Sequence, residues 1–163
     1  MITGLSSIVN RPMSVKDPSE SPSQKRRGVI AVCVREGRLL VIQRSRHVAA
    51  PLKFCFPGGA IEDGESESEA LVRELREELN VTVTPLERLW QSETDWGVEL
   101  RWWLADLETD ADIRPNPEEV AGFYWRSPDE LRKLSGLLSS NLAFLGAMDA
   151  GEFSVDGLDS SGD

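Results

Sequence analysis

Apolar positions along the chain fall into short runs divided by turn residues, with one segment in the middle that keeps a different rhythm. GVIAVCV (28–34) is an unbroken apolar run of strand length, and Glu36-Gly37 follows it as a turn signal. RLLVIQR (38–44) then returns, so the pattern predicts a β-hairpin. Residues 45–54 form a loop leading into FCFPGG. Further on, VTVTPLERLWQSE is either a strand pair or one bent strand interrupted by Pro85. VELRWWLADL (98–107) and VAGFYWR (120–126) are two more strands, separated by a polar loop that carries Pro115 and Pro117. SPDELRKL opens a short helix with Ser127 as N-cap and Pro128 in the first helical position. SSNLAFLGAMDAG reads as a terminal helix closed by Gly151. Strands outnumber helices, yet two or three helices are needed to cover them, which predicts a mixed α+β sandwich.

The segment with the different rhythm is GGAIEDGESESEALVRELREELNV, from Gly58 to Val81. Ser66 and Glu69 have the spacing of a capping box, which starts a helix just after the Gly64-Glu65 turn. Leu71, Leu75 and Leu79 then recur every four residues with Ala70 and Val72 alongside, giving an apolar stripe for the core. Asn80 can take the left-handed conformation that ends the helix. Glu74, Glu77 and Glu78 lie three or four residues apart and share one face. Like charges at that spacing destabilise a helix unless something neutralises them. Clustered hard oxygen donors suit Mg²⁺ or Mn²⁺. A merely acidic surface helix, supported by pairs such as Glu69 with Arg73, is the plain alternative.

Composition narrows the function without choosing it. The chain has 163 residues, enough for one domain with a real core. Residues 1–26, rich in Ser, Pro, Lys and Asp, read as a flexible tail; 27–150 form the domain; 151–163, acidic and Gly/Ser-rich, read as a second tail. Net charge is −10, so binding to a nucleic acid polymer or an anionic membrane surface is unfavourable. An anionic small-molecule ligand would need local arginines or bound metal. No apolar run approaches the length of a membrane span, and the N-terminal segment lacks a secretory pattern, so a cytoplasmic location is the default expectation. Cys33 and Cys55 sit in apolar surroundings without CxxC spacing and read as reduced core residues. The lone His47 falls in a polar loop and reads as solvent-exposed. Monomer and homodimer both stay open.

Gly59, five residues, Glu65, seven residues, then Arg73-Glu74-Leu75-x-Glu77-Glu78-x-Asn80-Val81 is very similar to the Nudix box, G-x5-E-x7-R-E-U-x-E-E-x-G-U, with U aliphatic. Eight of its nine specified positions match, which chance would give on the order of once in 10⁷ start positions. The departure is Asn80 in place of glycine, and asparagine is the next-best residue at positive φ.

The resemblance implies a Nudix-type α/β/α sandwich with a mixed, mainly antiparallel sheet, and Mg²⁺-dependent hydrolysis (Mn²⁺ also suitable) of a nucleoside diphosphate joined to a further group. By position, Glu74, Glu77 and Glu78 are the implied metal ligands, with the Gly59 carbonyl as another and Glu62 and Glu65 flanking. Arg73 is implied to orient the glutamates, and Glu74 and Glu77 to act in catalysis. Related hydrolases add a glutamate from the loop before the last strand. Here that is Glu119, as a further ligand or general base, with its neighbour Glu118 as the alternative. Three features resemble the MutT-like branch, which cleaves nucleoside triphosphates, oxidised ones included, to monophosphate and pyrophosphate. Arg44 at the end of VIQR lies where that branch faces the substrate, although a strand-end arginine in water has the same sequence. Asn141 lies where it reads a purine base, although it can equally cap its helix; Gly58 would border the substrate. Trp90, Trp96, Trp102, Trp103 and Trp125 all fall after the box, and adjacent Trp102 and Trp103 must face opposite ways. ADP-ribose, nucleotide sugars and dinucleoside polyphosphates are the alternative substrates. A non-catalytic Nudix-fold binding domain is the remaining alternative, disfavoured because every box acid is kept.

Overall fold

In the computed structural model, which describes residues 25–158, the first apolar run is divided between two sheets. Arg27–Val32 (β1) belongs to one sheet, while Val34–Arg35 (β2) turns at Glu36-Gly37 onto Arg38–Arg44 (β3) in the other. Glu36 and Gly37 both have positive φ, 52° and 75°, the pair a two-residue hairpin turn needs. The expected hairpin is therefore real but short, its tip pairing Val34 with Leu39 and Arg35 with Arg38. The reason is burial. Val29 to Val32 are solvent-free on both faces, which a strand lying between two partners achieves and a surface hairpin does not.

Those partners are Gly58–Ala60 (β5), antiparallel, and Glu99–Leu107 (β7), parallel. Val83–Glu93 (β6) adds an antiparallel edge to β7, so the sheet is mixed, with order β5-β1-β7-β6. β6 is a single bent strand of 11 residues, its register slipping between Pro85 and Glu87 and again between Arg88 and Trp90. In the second sheet β3 is flanked by β2 and Phe54–Cys55 (β4) on one edge and by Val120–Arg126 (β8) on the other, all antiparallel. Strands β4 and β5, two and three residues long, carry no alternating pattern and are made by their neighbours.

Three helices complete the described body: Glu67–Leu79 (α1), Pro128–Arg132 (α2) and Ser139–Asp149 (α3). The capping box read at Ser66/Glu69 is formed, Ser127 caps α2 as expected with Glu130 completing a second box, and Asn80 ends α1 at φ 57°. Trp103 faces α1, its indole N–H donating to Glu67 at 2.8 Å. Trp102 points the other way and stacks on Phe144 of α3 with ring centres 4.7 Å apart. Helices thus lie on both faces of the mixed sheet. No helix among the described residues is long and apolar enough to cross a membrane.

The N-terminal arm expected for 1–26 lies outside the described residues up to position 24. At the other end, the packed body runs past residue 150. Phe153 lies against Trp90 and Phe144, at 5.8 and 4.8 Å between ring centres, and Val155 is buried. Gly151 at φ 81° turns the chain back toward the core after α3. Two apolar residues amid glycine, serine and aspartate were enough to anchor a segment whose composition reads as tail.

Candidate functional site

The leucine stripe of α1 decides where its acids go. With Leu71, Leu75 and Leu79 fully buried, Glu74 and Glu78 lie on flanks that are also covered, 1% and 2% exposed. Glu77, one position round the helix, stays partly open. This face is not a solvated surface.

Arg73 collects the acids around it. Its Nε and Nη2 donate to both oxygens of Glu65, at 2.6 and 2.9 Å, while Nη1 donates to Glu74 at 2.8 Å and Glu77 at 3.3 Å. Nη2 also donates to the Ala60 carbonyl at 2.8 Å, joining α1 to β5. The fork of a guanidinium is needed for this, since a lysine ammonium could not serve two planar partners at once. The Arg73 bond draws the Glu65 carboxyl below its ordinary value.

Glu78 is held from the other side, accepting a hydrogen bond from the Gly58 amide at 3.1 Å. Gly58 has no room for a side chain: a Cβ would overlap the Val29 carbonyl and come within 2.8 Å of the Ile30 Cα. The adjacent Gly59 pairs with Val29 in β5. Phe56, two residues before Gly58, has its amide bound by the Asn141 side chain at 2.8 Å. Asn141 is itself buried and donates to Ser140. Its carboxamide therefore fastens the FPGG turn to α3, a task the sequence did not suggest.

Glu119 directly precedes β8 and closes the cluster. Burial, and after it the charge of Glu77, pushes its carboxyl up. Glu78 is pushed well up, by burial first and then by Glu74 and Glu119. These mutual effects place Glu74, Glu77, Glu78 and Glu119 in one electrostatic neighbourhood. Glu118, by contrast, is exposed. Arg44 is 2% exposed rather than a strand end in water, and its charge is felt by both Glu78 and Glu119. Its Nε donates to the Ala49 carbonyl at 2.8 Å, and its Nη2, also buried, has no hydrogen-bond partner among the described residues. Arg44 thus keeps one buried guanidinium nitrogen unsatisfied beside the carboxylates.

The donor set fits a hard divalent cation: several carboxylates, partly desolvated, with too few positive charges among them. Among the described residues no three acidic, histidine or cysteine side chains converge as a ready-made cage. Arg73 holds Glu74 and Glu77, and Gly58 holds Glu78, in the arrangement described here. Glu77 is the most open of them. The cysteines stay out of this chemistry; both are buried and free, their thiols pushed up to about 12 chiefly by burial. His47 is exposed in its loop. Sequence reasoning overlooked Ser45, Asn80 and Asn116 as site residues. Only the Pro-Asn-Pro run at 115–117 hinted that a fixed backbone was needed there.

Comparison with known proteins identifies the family and the fold. The family model for the NUDIX domain matches residues 23–144. A Nudix hydrolase of Deinococcus radiodurans is 34% identical over 106 residues, covering 59% of this chain and 59% of the relative. The CTP pyrophosphohydrolase of Escherichia coli is 43% identical over 56 residues, 34% of this chain and 42% of that protein. The chain thus spans well under two thirds of the length of these relatives. A crystal structure of a MutT protein from Methanosarcina mazei superposes with a TM-score of 0.69 at 22% identity, over 81% of this chain and 99% of that one, which shows a shared fold.

Proposed function

Because the chain belongs to the Nudix family, we propose that it hydrolyses a phosphoanhydride of a nucleoside diphosphate linked to a further group, with Mg²⁺ as cofactor. The substrate in this proposal is a (deoxy)nucleoside triphosphate, oxidised forms included, cleaved to monophosphate and pyrophosphate. One observation carries it: four carboxylates, Glu74, Glu77, Glu78 and Glu119, share a partly buried site with an arginine, Arg44, that keeps a donor open. Neighbouring acids buried with few counter-charges favour bound cations, and a cation site beside a guanidinium suits a polyphosphate. The name of the CTP pyrophosphohydrolase relative supports a triphosphate.

In this mechanism Glu74, Glu77, Glu78 and the Gly59 carbonyl would hold the cations, with Glu119 beside them. Bound there, Mg²⁺ would neutralise phosphate oxygens, polarise the P–O bond and acidify the attacking water. Arg73 fixes Glu74 closely and holds Glu77 by one longer bond. The Gly58 amide aims Glu78. Glu119, half-buried at the edge of the cluster, receives the proton from water in this reading. Arg44 donates to the polyphosphate. Net charge of −10 argues against a polymeric anion as substrate.

The test is incubation with Mg²⁺ and a panel of nucleoside triphosphates, ADP-ribose, a nucleotide sugar, a dinucleoside polyphosphate and a 5′-triphosphate RNA oligonucleotide, with products separated chromatographically. Monophosphate and pyrophosphate from a free triphosphate support the proposal. AMP and ribose phosphate from ADP-ribose would transfer it to the alternative substrates, and preference for the RNA end would contradict the argument from charge. No turnover of any compound would leave a binding domain. Glu77→Gln should lose most turnover while its circular dichroism stays that of the parent.

A further inference from the structure

We infer that Asn80 and Asn116 form a latch that fastens the loop of Glu119 to the carboxyl end of α1, making both asparagines positioning residues for Glu119. This rests on the reading of Glu119 as the group that receives the proton.

An α-helix ends with four carbonyls that find no partner inside it. In α1 these are the carbonyls of Arg76, Glu77, Glu78 and Leu79, and all four are taken. Asn80 N–H donates to Arg76 at 3.0 Å, as in an ordinary helix end. The other three are bound from the loop before β8. Asn116 Nδ2 donates to Glu77 at 3.4 Å, Asn116 N–H to Glu78 at 2.8 Å and Arg114 N–H to Leu79 at 2.9 Å. Asn80 answers with its own side chain, Nδ2 donating to the Arg114 carbonyl at 2.6 Å. The helix that carries Glu74, Glu77 and Glu78 is thus docked end-on to the loop that carries Glu119.

Asn116 passes that anchoring on. Its Oδ1 accepts from Glu118 N–H at 3.1 Å, and its carbonyl accepts from Glu119 and Val120 N–H at 3.0 and 2.8 Å. Pro115 and Pro117 on either side fix φ and cannot donate, so Asn116 is the one residue of the three that can offer an N–H to Glu78. From the opposite side Ser45 donates its N–H to the Glu119 carbonyl at 3.0 Å and its hydroxyl to the Glu118 carbonyl at 2.8 Å. The backbone of Glu119 is therefore gripped from both α1 and the end of β3.

Position 80 explains itself on these terms. It has φ 57°, where glycine is the unstrained choice. Glycine would complete the turn but lacks the amide that reaches Arg114. The one departure from the Nudix box supplies that amide.

Asn80→Gly is the clean test, since it keeps the left-handed turn and deletes only the bond to Arg114. Turnover of the preferred substrate is measured for Asn80→Gly and Asn116→Ala, each alone and combined with Glu119→Gln. Each single change should lower kcat about tenfold with KM nearly unchanged, the scale seen when partners that orient active-site ligands are removed. The Asn80→Gly melting point should stay within about 2 °C of the parent. Combined with Glu119→Gln, neither asparagine change should lower kcat further, because its effect runs through Glu119. Unchanged kcat in Asn80→Gly while Glu119→Gln is impaired overturns the latch alone. Losses that multiply with Glu119→Gln overturn it too. Full activity in Glu119→Gln removes Glu119 from the reaction and takes the latch with it. Should Asn116→Ala fail to fold, Asn80→Gly decides.

Discussion

Arg73→Ala removes a positive charge that touches four acids, Glu62, Glu65, Glu74 and Glu77, and its cost can be worked from the contacts. The contact with Glu62 is 3.7 Å long and that carboxylate is half exposed, so solvent screening leaves it little weight. The paired bonds to Glu65 and the bond to the Ala60 carbonyl hold α1 to β5, but their groups can be partly rehydrated when the arginine goes. Glu74 cannot. It is 1% exposed, and Arg73 Nη1 at 2.8 Å is its close counter-charge. Breaking one side of a buried ion pair costs about 3–5 kcal/mol, and that is the predicted loss for metal-free protein near neutral pH. Urea unfolding in chelator measures it, with Arg73→Lys as the variant that keeps charge but not the fork and so loses less. The pH dependence has a defined sign. The Glu65 carboxyl is depressed by Arg73, so its contribution is present above the ordinary glutamate value and is lost as pH falls through the lower folded value. The gap between parent and Arg73→Ala should therefore narrow on acidification below about pH 4.3. A neutral-pH loss under about 1 kcal/mol, the range of an exposed ion pair, would refute this account of Arg73.

Gly58→Ala should destabilise the protein by about 1–3 kcal/mol or more, the cost of overpacking, because its methyl overlaps the Val29 carbonyl; thermal melting checks it, and an unchanged melting point refutes it. Glu78→Gln should stabilise the metal-free protein at about pH 8. Its carboxyl is raised by burial, Glu74 and Glu119, so the parent keeps that contribution below the unfolded value and loses it as pH rises through the folded one. Melting curves in chelator should show the two proteins converging as pH falls, and a less stable variant at the alkaline end contradicts the assignment. Phe153→Ala should cost about 1–3 kcal/mol as the loss of a partly buried aromatic packed on the core, where a tail residue would cost nothing measurable in the same unfolding assay.

What the sequence disclosed was what neighbouring residues decide. The helix of the box was legible because its leucines, its capping pair and Asn80 lie within one stretch and act on one another directly. The outlines of β7 and β8 were legible for the same reason. Strand pairing was harder to see, since nothing in GVIAVCV says that Cys33 marks a change of sheet; that depends on β5 and β7 arriving from elsewhere. The site was half visible. The acids of α1 could be counted, but the burial of Glu74 and Glu78 depends on β5 closing over them through Gly58 and Ala60. Arg44 in isolation is a strand-end cation, and only folding puts it beside Glu78 and Glu119. The bond from Phe56 to Asn141 spans 85 positions, so no local pattern carries it. Asn116 was passed over because its partner on α1, Glu77, lies 39 positions away, so no local pattern carries the contact.

The carboxylates of α1 and Glu119 are taken here as a seat for divalent cations between protein and polyphosphate. Titration with Mn²⁺ in the presence of a non-hydrolysable triphosphate analogue, followed by electron paramagnetic resonance, tests that most directly. Saturable binding in the parent, beyond what the nucleotide binds by itself, and its loss when Glu74→Gln and Glu78→Gln are combined, is the predicted result. Binding no greater than that of the free nucleotide, or equal binding in the double variant, would contradict it.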